Sequence, residues 1–331
     1  MRLRTLLSAA LLLVAASAFG QSRAAFNPTK PYVHDPVMAK QGDTFYVFGT
    51  GNGISCMSSK DLKTWKEEKP VFAEAPAWVM EAMPDFRNHI WAPDIIWHEG
   101  QWHLFYACSR GGRNTSWIGH ATNPTLDPSS PNFKWTDHGC VLQSVPGRDL
   151  WNAIDPNIIF DENGTPWMDF GSFWFGIMMV QMKPDLSGIA QPEVWRNVCR
   201  RECRFELETA DPGNGSVEAP FIFKKGDWYY LFVSFDYCCR GARSTYKVAI
   251  GRSKSASGPF LDKEGKDLAF GGGSVILTGD NVNYVAVGHN SAYTIDGKDY
   301  FVTHAYQVGD GEAKLVVSEI KWQDGWPVLS F

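Results

Sequence analysis

The sequence carries no excess of positive charge and no Cys-x-x-Cys metal motif. Its 31 lysines and arginines are outnumbered by 36 aspartates and glutamates, so the formal net charge is −5 at pH 7. Surfaces that bind nucleic acid or anionic membranes need clustered basic residues, so neither partner is expected. The cysteine spacing, with no histidine pair nearby, disfavours a zinc site. No low-complexity tract or linker divides the chain.

The N-terminus has the pattern of an export signal. Arg2 and Arg4 form a basic region, residues 6–15 form an apolar run too short to span a bilayer comfortably, and residues 16–18 are small. We predict a signal peptide over residues 1–20, with cleavage near residues 18–24. The protein is then secreted or periplasmic and has no membrane contact after cleavage.

The cysteines leave the disulfide pattern open. There are seven, an odd number for an exported chain. Cys199 and Cys203 could pair with each other, whereas a bond between the adjacent Cys238 and Cys239 would be strained. Structural disulfides or buried thiols are expected, and not metal ligands.

An internal repeat is the strongest signal in the sequence. In residues 151–172, Asp155 and Pro156 open a short apolar strand, a turn centred on Gly164 follows, and an aromatic-rich strand returns. The same pattern recurs four times, with turn glycines about 60 residues apart at Gly42, Gly100, Gly164, Gly226 and Gly297. A strand-based repeat of this length predicts an all-β fold, a five-bladed β-propeller, with residues 26–331 as a single domain.

Each repeat places a polar residue where the innermost strand of a blade begins, near the central channel. These residues are Asp35, Asp94, Asp155, Glu218 and His289. Clustered carboxylates are costly unless they are paired, protonated or bound to a cation. Such a cluster suits the acid and base of glycoside hydrolysis, or a metal site with oxygen ligands, and both roles could hold together. Aromatic residues, 14% of the chain with 14 tryptophans, favour a sugar ligand.

The motifs that carry these residues resemble glycoside hydrolase family 43, and within it the endo-1,5-α-L-arabinanases. They are His34-Asp35-Pro36, Trp91-Ala92-Pro93-Asp94, Asn152-Ala153-Ile154-Asp155-Pro156, Val217-Glu218-Ala219-Pro220, Gly251-Arg252-Ser253-Lys254 with Ser257-Gly258-Pro259, and Gly288-His289-Asn290-Ser291. The resemblance runs from about residue 30 to the end. It implies a five-bladed propeller and an inverting enzyme, so it agrees with the repeat count.

The resemblance also implies roles for individual residues. Asp35 becomes the general base and Glu218 the general acid, and Asp155 becomes a third carboxylate that tunes the acid and orients the sugar. His289 is implied to contact a central metal, calcium, directly or through water. Substrate-lining positions are implied for Trp91, Asn152 and Ser172.

The activity expected from the resemblance is inverting cleavage of internal α-1,5-L-arabinofuranosidic bonds of arabinan by a monomeric enzyme. The polysaccharide partner is arabinan or the side chains of arabinoxylan-type hemicellulose and pectin. The alternatives are an exo-acting α-L-arabinofuranosidase or β-xylosidase on the same scaffold, and a sugar-binding propeller without catalysis. Residues 78–90, 110–114 and 173–175 are expected to line an open groove, and the insertion at residues 183–214 is the candidate for closing one end.

Overall fold

A computed structural model describes residues 26–201 and 215–331, and strands account for nearly all of its regular structure. The predicted signal peptide, Cys203 and part of the insertion at residues 183–214 lie outside the described residues. Within the described residues, no helix is both long enough and apolar enough to cross a membrane.

The described strands form six antiparallel sheets: one for each of the five predicted blades, and a separate two-stranded hairpin. Blade 1 contains β1 (Val37–Gln41), β2 (Thr44–Gly49), β4 (Ser55–Ser59) and β5 (Trp65–Glu67). Blade 2 contains β3 (Gly51–Asn52), β6 (His89–His98), β7 (Gln101–Cys108), β8 (Ser116–Asn123) and β9 (Thr136–Ser144). Blade 3 contains β10 (Asn157–Phe160), β11 (Pro166–Phe170), β12 (Ile177–Gln181) and β13 (Trp195–Cys199).

The remaining elements complete the ring. Blade 4 contains β14 (Val217–Lys225), β15 (Trp228–Phe235), β16 (Lys247–Ser253) and β17 (Ser274–Leu277). Blade 5 contains β18 (Tyr284–Ile295), β19 (Lys298–Gln307) and β20 (Ala313–Glu319), and a hairpin of β21 (Lys321–Gln323) and β22 (Trp326–Val328) follows. Among residues 26–201 and 215–331, helical structure is limited to α1 (Ala77–Ala82) and two 3-10 turns, Gly241–Arg243 and Leu268–Phe270.

The five-bladed all-β propeller predicted from the repeat is confirmed. All five turn glycines lie between the first two long strands of a blade and have positive φ angles, from 56° at Gly226 to 81° at Gly100. A Cβ at any of the five would meet no atom within 4 Å. The glycine is therefore required by the left-handed backbone of the turn and not by lack of space.

Apolar residues pack between neighbouring blades. Five clusters each join two blades around the ring, and the last joins blade 5 to blade 1 through Val302, Met38 and Val47. Because both faces of a blade are covered, strands such as β7 are buried along nearly their whole length. The N-terminal segment adds to this closure, since Leu315 donates its N–H to the carbonyl of Pro31 and Tyr32 bridges to Lys314.

One residue within or just before each innermost strand has a left-handed backbone, with φ between 39° and 57°, and these five residues define equivalent positions: Asp35, Ala92, Asp155, Ala219 and His289. Left-handed non-glycine residues cost free energy and tend to mark functional sites. The predicted register was wrong at Asp94, because a β-bulge between Trp91 and Asp94 makes Ala92 the equivalent residue. Glu218 is also out of register, because it lies one residue before Ala219, which occupies the equivalent position in blade 4.

Asp94 joins two blades and does not join the other carboxylates. One of its carboxylate oxygens accepts the N–H of Ile158 at 2.7 Å and the side-chain N–H of Asn157 at 3.2 Å. Asn157 in turn accepts the N–H of Ile222 on blade 4 at 2.9 Å. Asp94 is 3% exposed and borders a second cavity, lined by residues farther along the innermost strands. These contacts connect blades 2, 3 and 4 near the axis.

Candidate active site

A cavity of about 790 Å³ opens where the innermost strands begin. Its lining includes residues from all five blades and contains every predicted site residue: Asp35, Trp91, Asn152, Asp155, Ser172, Glu218 and His289. Of the three segments expected to line a groove, residues 110–113, Phe173 and Trp174 border this cavity. Residues 78–90 contribute only His89, because Trp78 lies in helix α1 and packs against Tyr106.

Asp35 is held by side chains from three other parts of the chain. The hydroxyl of Thr50, just after β2, donates to one of its carboxylate oxygens. The Nδ1 atom of His289 lies 3.0 Å from the other oxygen, and His34 lies 3.6 Å from it. The backbone N–H of Asp35 donates to Nδ1 of His304 at 3.1 Å. The carboxylate is therefore oriented, and it is surrounded by imidazole rings.

Glu218 and Asp155 are more deeply buried, with 9% and 6% of their surfaces exposed. Ser172 donates its hydroxyl to Glu218 at 2.6 Å, and Tyr246 donates its phenol O–H to the other carboxylate oxygen. Asp155 accepts the N–H of Ala219, the residue after Glu218, at 3.0 Å. One carboxylate therefore fixes the backbone that carries the other.

The carboxyls of Asp35 and Glu218 have opposite pKa shifts. Burial alone raises the pKa of Asp35, but the charge and hydrogen bond of His289, together with His34, outweigh it and hold the pKa well below its usual value. Burial also raises the pKa of Glu218, and hydrogen bonds from Ser172 and Tyr246 offset this only in part, so its pKa stays raised. The surroundings therefore favour the ionised form of Asp35 and shift Glu218 towards its protonated form.

Asp155 and His289 complete the charge balance. Burial, together with the charges of Glu218 and Asp35, raises the pKa of Asp155 to about 8 against the opposing charge of His289. Burial opposes protonation of His289, yet Asp35 and Asp155 raise its pKa to about 9. The cavity thus contains an ionised Asp35–His289 pair beside two carboxyls that resist ionisation.

The three other predicted residues lie on the cavity wall. Trp91 donates its indole N–H to Nδ1 of His89 at 2.8 Å, and the residue is partly exposed. Asn152 is 3% exposed, and its side-chain oxygen accepts the hydroxyl of Ser116 at 2.6 Å. Ser172 bonds Glu218 directly, so its contact with a carboxyl is more definite than its contact with a sugar.

Sequence reasoning missed Thr50 and Ser234, although a positional signal exists. Thr50, Ser172 and Ser234 each stand eight residues after the turn glycine of their blade. All three hydroxyls hold a residue of the cluster, since Ser234 accepts the backbone N–H of His289 at 2.7 Å. Aligning the repeats on their glycines would have found these positions. Tyr246 carries no such signal, because it lies in a loop before β16.

The donors near His289 are compatible with a hard cation. Asn290, the next residue, is 2% exposed, and neither its amide oxygen nor its amide nitrogen has a hydrogen-bond partner. The crowded carboxylates offer oxygen atoms, which calcium prefers. His34, Asp35 and His304 also place ligand atoms within 4.8 Å of one another. That set is richer in nitrogen and suits calcium less well.

Comparison with known proteins gives one consistent family. The model of glycosyl hydrolases family 43 matches residues 26–327. The extracellular exo-α-(1→5)-L-arabinofuranosidase ArbA of Cellvibrio japonicus is 47% identical over 97% of this chain and 91% of its own length. The extracellular endo-α-(1→5)-L-arabinanase 1 of Bacillus subtilis is 37% identical over 95% of this chain and 93% of its own.

A solved structure has the same architecture. The α-L-arabinanase of Cellvibrio cellulosa in complex with arabinohexaose superposes with a TM-score of 0.89 at 46% identity, and the match covers 91% of this chain and 96% of that one. Three observations agree on the family: the propeller fold, the cavity with its three carboxyls, and the family match over nearly the whole described chain. The protein belongs to glycosyl hydrolases family 43, and it is a glycoside hydrolase.

Proposed function

We propose that the protein hydrolyses α-1,5-L-arabinofuranosidic bonds of arabinan with inversion, using Asp35 as general base and Glu218 as general acid. The opposite pKa shifts of these two carboxyls carry the proposal. A base must be ionised and an acid protonated at the working pH, and environments that separate two pKa values assign those roles. The similarity to proteins named for arabinan cleavage supports the substrate class.

In this mechanism Glu218 gives its proton to the glycosidic oxygen as the bond from that oxygen to the anomeric carbon breaks. Asp35 takes a proton from a water molecule, whose oxygen bonds the anomeric carbon from the opposite face. Glu218 ends ionised and Asp35 protonated, and exchange with solvent restores both. Ser172 and Tyr246 donate to the Glu218 carboxylate and therefore stabilise its ionised form after proton transfer.

Asp155 is proposed as the third carboxyl. Its bond to the N–H of Ala219 fixes the backbone beside the acid. Its own burial and the raised pKa keep a proton available nearby, so it donates to a sugar hydroxyl when neutral and repels a charge on Glu218 when ionised. The repulsion favours protonated Glu218, and the hydrogen bond orients the sugar.

We propose endo action, because the described part of the insertion does not close the cavity. None of residues 183–201 borders it, and Arg200 instead donates to the carbonyl of Ala269 and stacks on Phe270. Exo action is the second candidate. The observation that favours it is the exo activity in the name of the 47% identical Cellvibrio protein, against an endo name at 37% identity.

The early products on debranched linear arabinan test function and mode together. We expect a ladder of oligosaccharides with a rapid fall in viscosity, and proton NMR of the first-formed sugar should show an inverted anomeric configuration. A single small sugar from the start, at nearly constant viscosity, would establish exo action. Retained configuration would exclude Asp35 as a water-activating base, and a lack of any cleavage would overturn the proposed function.

Removing the Tyr246 hydroxyl tests the assignment of the acid. Tyr246→Phe takes away a hydrogen bond that favours ionised Glu218, so the pKa of Glu218 should rise. Activity requires protonated Glu218 and is lost as pH rises through that pKa, so the alkaline limb of the kcat profile should move to higher pH. Tyr229→Phe, which alters a buried phenol on the second strand of the same blade, is the matched control. An unchanged alkaline limb in Tyr246→Phe would argue against Glu218 as the acid.

We also propose that oxygen atoms near His289 hold a calcium ion in the channel, and that His289 contacts the ion only through water, because a protonated imidazole has no free lone pair. Bound calcium would supply positive charge beside the crowded carboxyls and so offset their repulsion. We expect chelation to lower both kcat and the melting temperature, the latter by a few degrees, with recovery on adding calcium. A chelated preparation with unchanged rate and melting temperature would contradict the ion.

Export and assembly follow from the same proposals. The names of both curated relatives describe extracellular enzymes, which supports secretion of this protein after removal of residues 1–20. Action on a polymer outside the cell needs no membrane or nucleic-acid contact. A monomer suffices, because one chain supplies every residue assigned above.

A further inference from the structure

The wall of the cavity contains a disulfide bond between two adjacent residues, Cys238 and Cys239. Cys239 is exposed and Cys238 half-buried, between Tyr237 and Arg240. Nothing in the mechanism above uses this bond. Bonding of neighbouring cysteines closes a small ring through their shared peptide, so the sulfur atoms lose the rotamer freedom of two free side chains.

The disulfide is fixed on the side of the base. Cys239 donates its backbone N–H to the hydroxyl of Tyr306 at 2.8 Å, and the same hydroxyl lies 3.9 Å from its sulfur. Tyr306 is 2% exposed, and its hydroxyl lies 3.3 Å from Nε2 of His34. The other nitrogen of His34 lies 3.6 Å from Asp35. Only two side chains therefore separate the disulfide from the proposed base.

The disulfide is also fixed on the side of the acid. Cys238 packs against a buried cluster that contains Tyr246 and Tyr306. Tyr246 bonds Glu218. The disulfide thus stands one layer outside both carboxyls and lines the same cavity.

We propose that the Cys238–Cys239 disulfide is a substrate-contacting surface, on which an arabinofuranosyl unit adjacent to the cleaved unit packs its apolar C–H face. This inference rests on the proposed function, because it takes an arabinan chain as the ligand. Disulfide sulfur is polarisable and apolar and suits such a contact. A contact surface without rotamer freedom also loses less entropy on binding than two thiols would.

The test compares two substrates in Cys238→Ser/Cys239→Ser and in the parent enzyme. On linear arabinan we expect KM to rise about tenfold and kcat to change less than about threefold, because the variant loses one packing contact with the bound chain. On 4-nitrophenyl α-L-arabinofuranoside, which has one sugar unit, both constants should stay within about twofold. Equal losses on both substrates would show that the disulfide only stabilises the local structure. An unchanged KM on arabinan would exclude a contact between the disulfide and the substrate. Either result overturns the proposal.

Reduction of the parent enzyme reproduces the test without mutation. Dithiothreitol transfers two electrons and two protons to the bond, giving two thiols and oxidised dithiothreitol, and peptide mass mapping after alkylation confirms the site. The rise in KM should appear in the parent enzyme and in Cys140→Ser, which removes an exposed thiol outside the cavity, and should be absent in the double variant. Persistence of the reductant effect in the double variant would assign it to another site.

Binding separates this inference from the proposed function. Arabinohexaose titrated into the Glu218→Gln enzyme should bind about tenfold more tightly when the disulfide is oxidised than when it is reduced. Equal binding overturns the disulfide contact even if the parent enzyme cleaves arabinan. A parent enzyme that binds arabinohexaose in a disulfide-dependent manner but cleaves no arabinan overturns the hydrolase proposal alone.

Discussion

Glu218→Ala is expected to lose about 10²–10⁴-fold of kcat/KM on arabinan, and to keep most of its activity on 2,4-dinitrophenyl α-L-arabinofuranoside. An alkoxide leaving group needs a proton as the bond breaks, whereas dinitrophenolate is a stable anion that departs without one. The split between the two substrates therefore measures protonation by Glu218 and not general damage to the cavity. Steady-state kinetics on both substrates, at the same pH, give the comparison.

Asp94→Asn is the matched control for this experiment. It also changes a buried carboxyl near the axis, one whose pKa burial raises to about 6, but that carboxyl borders the other cavity. Its amide oxygen can still accept the N–H of Ile158, so we expect kcat/KM within about threefold of the parent enzyme on both substrates. Equal losses by Glu218→Ala on the two substrates would contradict the assignment of the acid.

The architecture and the carboxylates were predictable because both depend on local sequence. A left-handed turn favours glycine, so the five turn glycines indicated the number of blades. A carboxylate near the beginning of an innermost strand indicated where the channel lies. Asp94 was misplaced because a β-bulge shifts the register, and the sequence around Trp91 does not show that bulge.

Long-range contacts were not predictable from the sequence. Tyr246 reaches Glu218 across 28 residues, and His304 reaches Asp35 across 269, so only the folded ring brings them together. The disulfide expectation pointed to Cys199 and Cys203, but Cys199 is a buried free thiol and Cys203 lies outside the described residues. Among the six described cysteines, Cys238 and Cys239 form the disulfide, although a bond between them was expected to be strained.

The opposite charges of Asp35 and His289 explain how a base works beside two other acids. Without a cationic partner, burial and the nearby carboxyls would favour protonated Asp35. His289, whose pKa is raised to about 9, stays protonated through the neutral range and keeps Asp35 ionised. The same pair leaves the remaining proton on the Glu218 and Asp155 side of the cavity, where the leaving oxygen needs it.

Asp35→Ala should lose about 10²–10⁴-fold of activity on arabinan and on 2,4-dinitrophenyl α-L-arabinofuranoside alike, because water must be activated whichever group leaves. Removing the side chain also leaves space where the attacking water stood. Azide is a small anion that attacks without giving up a proton, so it should restore turnover of the dinitrophenyl substrate. The product should be β-L-arabinofuranosyl azide, formed by attack on the face opposite the leaving group.

Thr50→Ala provides the comparison for this variant, since it removes only the hydroxyl that donates to Asp35. It should keep a working base and orient it less well, with a loss of about tenfold and no response to azide. Mass spectrometry and proton NMR of the azide product decide the outcome. Two results would reverse the proposed mechanism: an α-configured azide product, or azide rescue in Glu218→Ala but not in Asp35→Ala. Either would mean that Glu218, and not Asp35, acts on the face opposite the leaving group.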